Sequence, residues 1–331
     1  MSEFLNALHD RVLLCDGAFG SRIQAMDLDV ERDYRGAENC TEILNVTRPD
    51  IVREIHEGYL EAGSDVVQTN SFGGSPITLG EFELDGDAFE INRLAGELAR
   101  AAAARFATTE RPRYVLGSVG PGTRLPSLGH VDYRRLEDAF SVQCAGLIAG
   151  GIDALLIETC QDPLQIKAAV NGARRAFAEG SPRVPILVQV TMETTGTMLV
   201  GADIAAAATV VESLGVDVMG LNCATGPHEM ADHVRFLSES WPGLISVQPN
   251  AGLPELHEGH THYPLTADEL ATWAERFVTE DGVNMVGGCC GTTTEHIAAL
   301  DAMLRRIAPD GHRPRPSARE HEWIPAVASL Y

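Results

Sequence analysis

The chain is almost devoid of lysine. Lys167 is the only one in 331 residues, so nearly all of the 25 basic side chains are arginine, a feature of genome composition rather than of function. Positive charge is scarce altogether: 47 acidic residues leave a formal charge of -22, spread along the chain rather than gathered in a tail. Such a chain repels phosphate backbones and anionic lipid, which argues against a nucleic-acid partner and against a membrane surface. Long apolar runs are also missing. None reaches the roughly 18 to 20 residues of a membrane span, and the opening segment, residues 1–11, does not form a secretory signal. The expectation is a cytoplasmic protein whose seven cysteines are reduced, and so serve packing, metal binding or catalysis rather than disulfides. The acceptor pattern Asn45-Val46-Thr47 is then accidental.

What is present is ordinary for a soluble globular protein, with 44% apolar and 22% charged residues, enough to bury a full core. Short apolar runs alternate with longer amphipathic stretches. The strand candidates are Val12–Cys15, Val66–Thr69, Tyr114–Ser118, Ala154–Glu158, Ile186–Val190, Val216–Leu221, Leu244–Val247 and Asn284–Val286. They show little polar alternation, as parallel strands covered on both faces do. The helix candidates are Asp50–Ala62, Asp87–Ala107, Tyr133–Gly150, Pro163–Ala178, Ile204–Leu214, His228–Ser238, Thr266–Val278 and Thr294–Ile307. Thr47 and Pro49, Asp162-Pro163, and Thr266 with Glu269 supply start signals for three of them. Eight β-then-α units predict an α/β fold, a single (βα)8 TIM barrel over residues 1–308. A doubly wound open sheet is the alternative, but no Gly-x-Gly-x-x-Gly follows the first strand candidate. Residues 309–331 hold four prolines, Pro309, Pro314, Pro316 and Pro325, and read as an extended tail or linker.

Barrel chemistry sits where strands end. Cys223 closes the sixth strand candidate, and Gly287-Gly288-Cys289-Cys290-Gly291 follows the eighth. Neighbouring cysteines hardly bridge each other, because a disulfide needs more distant Cα atoms. Glycines let both sulfurs converge, and converging thiolates repel unless a cation lies between them. Alternate strands feed the same layer of a barrel, so Cys223 can meet Cys289 and Cys290 above the mouth. Three sulfurs with a fourth position open suit a catalytic Zn²⁺. Cys15 and Cys144 read as core, Cys40 as a loop residue and Cys160 as a neighbour of the site. His257, His260 and His262 share one segment and read as a flexible polar loop rather than a ligand set.

Seven motifs stand in order along the chain: Asp16-Gly17-Ala18-Phe19-Gly20, Thr69-Asn70-Ser71-Phe72-Gly73, Gly117-Ser118-Val119-Gly120-Pro121, Ile157-Glu158-Thr159, Gly220-Leu221-Asn222-Cys223, Gln248-Pro249-Asn250-Ala251-Gly252 and Gly287-Gly288-Cys289-Cys290-Gly291-Thr292. Together they resemble the homocysteine S-methyltransferase family. The run from Glu42 to Val52 is similar to the homocysteine-binding N-terminal modules of cobalamin-dependent methionine synthases. The resemblance implies zinc-dependent methyl transfer to the sulfur of L-homocysteine, giving L-methionine. It implies Cys223, Cys289 and Cys290 as zinc ligands, with Asn250 as an oxygen ligand when substrate is absent. It also implies Asp16 and Glu158 for the substrate ammonium, backbone groups near Ser118 and Val119 for its carboxylate, and Asn222 in the same pocket.

The chemistry agrees with that assignment. A thiol of pKa about 8.5 is mostly protonated at neutral pH, and zinc deprotonates it, so no protein base is required. Two carboxylates at separate strand ends suit an ammonium group, although Asp16 also fits a turn before Gly17 and Glu158 a buried ion pair. For the methyl donor the resemblance implies methylcobalamin on a corrinoid-carrying protein or domain. The chain itself has no Asp-x-His-x-x-Gly cobalamin signature. It is then either a free-standing unit that serves a separate corrinoid protein or a part of something longer. S-methylmethionine, S-adenosylmethionine or a betaine is the alternative donor, and a non-catalytic homocysteine- or zinc-binding module is the alternative of another kind.

Overall fold

The computed structural model describes residues 2–257, 260–314 and 316. Eight parallel strands form one sheet: β1 (Leu13–Leu14), β2 (Val66–Gln68), β3 (Tyr114–Val119), β4 (Ala154–Cys160), β5 (Ile186–Val190), β6 (Val218–Asn222), β7 (Leu244–Gln248) and, after the hairpin β8 (Glu255–His257) and β9 (His260–His262), the last barrel strand β10 (Met285–Val286). Their order is β1-β10-β7-β6-β5-β4-β3-β2, and the remaining seam between β1 and β2 is drawn together by the parallel bridge Cys15↔Val66. The architecture is a (βα)8 TIM barrel, as the alternation in the sequence predicts.

Why these segments become strands is visible in their burial. Successive side chains point to opposite faces, and both faces are covered. Leu13, Val66, Leu116, Leu156, Leu187, Val218, Leu244 and Met285 fill the inside of the barrel. Leu14, Val67, Val115, Leu155, Val188, Met219, Ile245 and Val286 pack outward against the helices. A polar residue on either face would be desolvated, which explains the near-continuous apolar runs.

The eight expected helices are Pro49–Ala62, Ala88–Phe106, Tyr133–Ala149, Pro163–Ala178, Ile204–Ser213, Pro227–Ser240, Ala267–Thr279 and Thr294–Ile307. Asp162 caps the fourth by accepting the Leu164 N–H at 2.8 Å, and Thr266 with Glu269 forms the capping box of the seventh. Thr47 does not cap the first. Its hydroxyl donates to the carbonyls of Asp33 and Ile43, while Pro49 takes the first helical position. A further helix, Glu3–Asp10, has no counterpart in the sequence expectations; its Phe4 and Leu8 close the bottom of the barrel, Phe4 edge-on to Tyr114 at 5.5 Å.

Three other differences bear on the site. Strand β4 runs past Glu158 to Cys160, with a register shift against β5 between Ile157 and Cys160. The sixth strand starts and ends later than expected and so includes Asn222. The histidine segment is not an irregular loop: His257, His260 and His262 lie in the antiparallel hairpin β8–β9, where His257 pairs with His260 and Glu255 with His262. The tail expected over 309–331 falls, apart from 309–314 and 316, outside the described residues. There the Arg313 N–H donates to the Asp10 carbonyl at 2.9 Å, returning the chain to the barrel bottom. Among the described residues no helix is long and apolar enough to cross a membrane.

Candidate metal centre and substrate cavity

The ends of β6 and β10 bring three sulfurs together. Cys223, Cys289 and Cys290 each offer one ligand atom, all within 4.8 Å of one another, and they are the one such cluster among the described residues. The sulfurs of Cys223 and Cys290 are 3.7 Å apart. A tetrahedral ion with metal–sulfur bonds of about 2.3 Å sets its ligands about 3.8 Å apart, so the spacing fits Zn²⁺. The charges make the same point. In this cluster the Cys290 thiol is pushed down to about 3 by hydrogen bonds from Cys223 and Cys289, while the Cys223 thiol rises to about 12. The sulfurs thus hold one negative charge readily, and a cation is needed for all three to ionise.

The loop that carries Cys289 and Cys290 is tightly braced. The Cys289 N–H donates to the Pro249 carbonyl at 2.8 Å, and the Cys290 carbonyl accepts from the Ala251 N–H at 2.9 Å. Thr292 Oγ1 accepts the Ala18 N–H at 3.1 Å and donates to the Cys289 carbonyl at 2.7 Å, tying the loop after β1 to the sulfurs. Glycine is required on both sides. A Cβ on Gly288 would lie 2.4 Å from Thr292 Oγ1; Gly291 sits at φ 78°, and a Cβ there would lie 2.1 Å from the Tyr263 ring.

Asn250 stands behind the sulfurs. Its Oδ1 accepts the Cys290 N–H at 3.1 Å, which orients the cysteine loop and leaves one lone pair of that oxygen. Tyr263, unnoticed in the sequence, places its hydroxyl on the Cys290 sulfur. Nothing local signals it; the contact exists only because the segment after β9 folds over Gly291.

On the opposite wall Glu158 is buried, with its two oxygens engaged separately. Oε1 accepts the Ser118 hydroxyl at 2.6 Å and Oε2 accepts Asn222 Nδ2 at 2.9 Å. Burial pushes its carboxyl up to about 7, with the charge of Cys290 adding to the rise. Asp16 is pushed up to about 8, again by burial first, although its Oδ2 accepts the Gln68 N–H at 2.9 Å. The two carboxyls are close enough for the charge of Glu158 to raise Asp16 further. Among the described residues neither carboxyl has an arginine or lysine partner, so the two form a cation-seeking pair.

The backbone of Ser118 is engaged by its neighbours. The Ser118 N–H already donates to Thr69 Oγ1 at 2.9 Å, and its carbonyl accepts from Ser71 Oγ at 2.7 Å. The side chain of Val119, the last residue of β3, is buried in the outer core. Cys160 is likewise turned into the core behind Glu158 rather than lining the site, because the β4 irregularity reverses its direction. Cys15, Cys40 and Cys144 are buried.

Glu158, Asn222, Cys223, Cys289, Cys290 and Tyr263 line a cavity of about 1090 Å³, together with Gly17 and Ala18 just after Asp16. No lysine or arginine lies among its described lining residues. It can therefore accept a small zwitterion, with the ammonium toward the carboxyls and a thiol toward the sulfurs.

A family model described as homocysteine S-methyltransferase matches residues 13–304, nearly the whole barrel. The chain belongs to the homocysteine S-methyltransferase family. It is a homocysteine S-methyltransferase domain. It is 48% identical over 330 residues to the methionine synthase of Mycobacterium leprae (strain TN) and 47% identical to that of Mycobacterium tuberculosis (strain ATCC 25618 / H37Rv). These alignments cover 100% of this chain but 27% of either relative, so the chain spans about a quarter of their length. The homocysteine methyltransferase MmuM from Escherichia coli, in its metallated form, shares the fold: TM-score 0.70 and 23% identity over 88% of this chain and 96% of that one. In its oxidized form the TM-score is again 0.70, at 22% identity.

Proposed function

We propose that this family member transfers a methyl group to the thiol of L-homocysteine, forming L-methionine, with Zn²⁺ held by Cys223, Cys289 and Cys290. The observation that carries the reading is the sulfur triad with spacing that fits a tetrahedral ion, sharing one cavity with the buried carboxyl of Glu158, whose charge reaches the buried Asp16 nearby. A bound zinc ion lowers the pKa of a coordinated thiol and so supplies a thiolate nucleophile at neutral pH.

The chain's own groups do the rest. Asp16 and Glu158 bind the substrate ammonium; in doing so they ionise, since a cation beside a buried carboxyl restores the charge that burial disfavours. That fixes the amino-acid end and aims the side-chain sulfur at the cysteines. Asn250 holds the cysteine loop through Cys290, and its remaining lone pair is proposed for the fourth metal position when no substrate is bound. Ser118 serves through its hydroxyl, which orients Glu158, rather than through its committed N–H.

As donor we assign methylcobalamin carried by a separate corrinoid protein or domain, because the long relatives are methionine synthases. We take residues 1–308 as the catalytic barrel and 309–331 as the segment leading out of it. The test is direct. Zinc-loaded protein, L-homocysteine and methylcobalamin are mixed, and the corrin absorbance is followed together with methionine. Turnover that requires zinc and homocysteine supports the reading. Turnover with S-methylmethionine, S-adenosylmethionine or betaine, and none with methylcobalamin, overturns the donor. Binding of zinc and homocysteine without turnover under any donor overturns the enzymatic reading for the isolated chain.

A further inference from the structure

Two places on the rim of the cavity hold non-glycine residues in the left-handed region: Thr159 at φ 55° in β4, and Cys223 and Ala224 at φ 58° and 55° after β6. A β-branched residue there is a genuine outlier, and such strain persists only where neighbours over-determine it. One residue joins both places. Asn222, the residue before Cys223, accepts the Thr159 N–H on Oδ1 at 2.9 Å and donates Nδ2 to Thr159 Oγ1 at 2.9 Å and to Glu158 Oε2 at 2.9 Å. The two ends are also joined through β5. The Thr191 N–H donates to the Cys160 carbonyl at 3.0 Å, and Thr191 Oγ1 donates to the Asn222 carbonyl at 3.0 Å.

An asparagine amide has two N–H donors. Both are donated to protein groups, and the oxygen is already engaged. Asn222 therefore has little left to offer a substrate directly, although the family resemblance puts it in the substrate pocket. We propose that Asn222 is a positioning residue that aligns the two halves of the site: its side chain clamps the left-handed turn at Thr159 and aims Glu158, which ties the β4 end to the strand end from which Cys223 departs, while Thr191 holds the backbone carbonyl of the same residue. The inference rests on the roles assigned above to Glu158 and the cysteines. It adds that ammonium recognition and metal retention share one hinge.

The strain supplies the test. Glycine adopts the left-handed conformation without penalty, so Thr159→Gly keeps the β4 end in place without the clamp. Four proteins are compared: wild type, N222A, N222A/T159G and E158Q. The readouts are zinc affinity by competition with a chromophoric chelator, KM for L-homocysteine with methylcobalamin, and far-UV circular dichroism for the fold. Asn222→Ala should weaken zinc binding about 10-fold or more, the effect expected when a group that orients a metal ligand is lost, and should raise KM. The double variant should recover much of both. Glu158→Gln should raise KM and leave zinc affinity as in wild type.

A folded N222A with wild-type zinc affinity and only a raised KM overturns the proposal and makes Asn222 a direct substrate ligand. Zinc loss that T159G does not relieve overturns it as well. Should N222A not fold, T159A, which removes the Oγ1 contact alone, takes its place: a partial loss of zinc affinity together with a raised KM supports the clamp, and zinc affinity unchanged overturns it. Failure of the underlying reading looks different, since wild-type protein would then bind neither zinc nor homocysteine.

Discussion

The sulfurs of Cys223 and Cys290 lie 3.7 Å apart, on strand ends separated by 66 intervening residues and one intervening strand. That is the separation a shared tetrahedral ion requires and far more than the roughly 2.05 Å of a disulfide. The pair is thus poised for metal, yet close enough to oxidise once metal leaves. Oxidants such as hydrogen peroxide should inactivate the protein with release of zinc, and prior loading with zinc should slow the inactivation. A chelator dye reports the release; zinc that stays bound in an oxidised, inactive sample would count against this.

Removing one ligand should cost the metal and not the barrel. Cys289→Ala is expected to lose stoichiometric zinc on gel filtration and to lose methyl transfer, with an unchanged far-UV spectrum. The sulfurs stand on loops above a core built from other residues, so their loss opens no core cavity. Full zinc content together with full turnover in this variant would sink the ligand assignment.

Acid should weaken substrate binding. The carboxyls of Asp16 and Glu158 are raised to about 8 and about 7, chiefly by burial, and both must ionise to hold an ammonium. Apparent affinity for homocysteine should fall as pH drops through and below these values, measured by calorimetry on zinc-loaded protein. Stability runs the other way. A carboxyl raised in the folded state takes up a proton on folding, so its contribution is fully present below the unfolded value and is lost as pH rises through the folded one. For Asp16 that window runs from 3.8 to about 8. Metal-free D16N should therefore lose less Tm than wild type between pH 5 and pH 8, on the order of the span set by these shifts; parallel Tm curves would contradict the assignment.

Thr292 links the substrate loop to the metal loop through one buried hydroxyl. Thr292→Val keeps the shape and deletes both side-chain hydrogen bonds, leaving the Ala18 N–H unpaired while the Cys289 carbonyl keeps the backbone N–H of residue 292. The expected cost is about 1 to 3 kcal/mol in denaturant unfolding, together with weaker zinc retention. A change in stability alone would show that the cysteine loop is held sufficiently by Pro249, Asn250 and Ala251.

Gly291→Ala should be the most damaging small substitution in the loop. The new methyl group meets the Tyr263 ring and the backbone must keep φ 78°. Either the turn or Tyr263 must move, and either movement shifts Cys290. Zinc affinity measured by chelator competition should drop, and the aromatic near-ultraviolet spectrum should change with it. Wild-type values in both would show that Tyr263 yields freely.

The barrel and the convergence of three cysteines were legible in the chain because both are written in local pattern. Buried parallel strands demand short apolar runs, and eight such runs alternate with amphipathic segments that carry their own caps, such as Asp162 and Thr266. Two adjacent cysteines between glycines announce a convergence, and a third at the end of an even-numbered strand completes it. What tertiary structure alone decided are relationships between strand ends distant in sequence. Residue identity marks Asn222, Tyr263 and Thr292 as polar but cannot say which groups consume their hydrogen bonds. The Ser118 N–H illustrates the reason: it was free in the sequence and committed to Thr69 in the fold. Period and spacing determine where a backbone goes. Which donors and acceptors remain available depends on what the closed barrel brings opposite them.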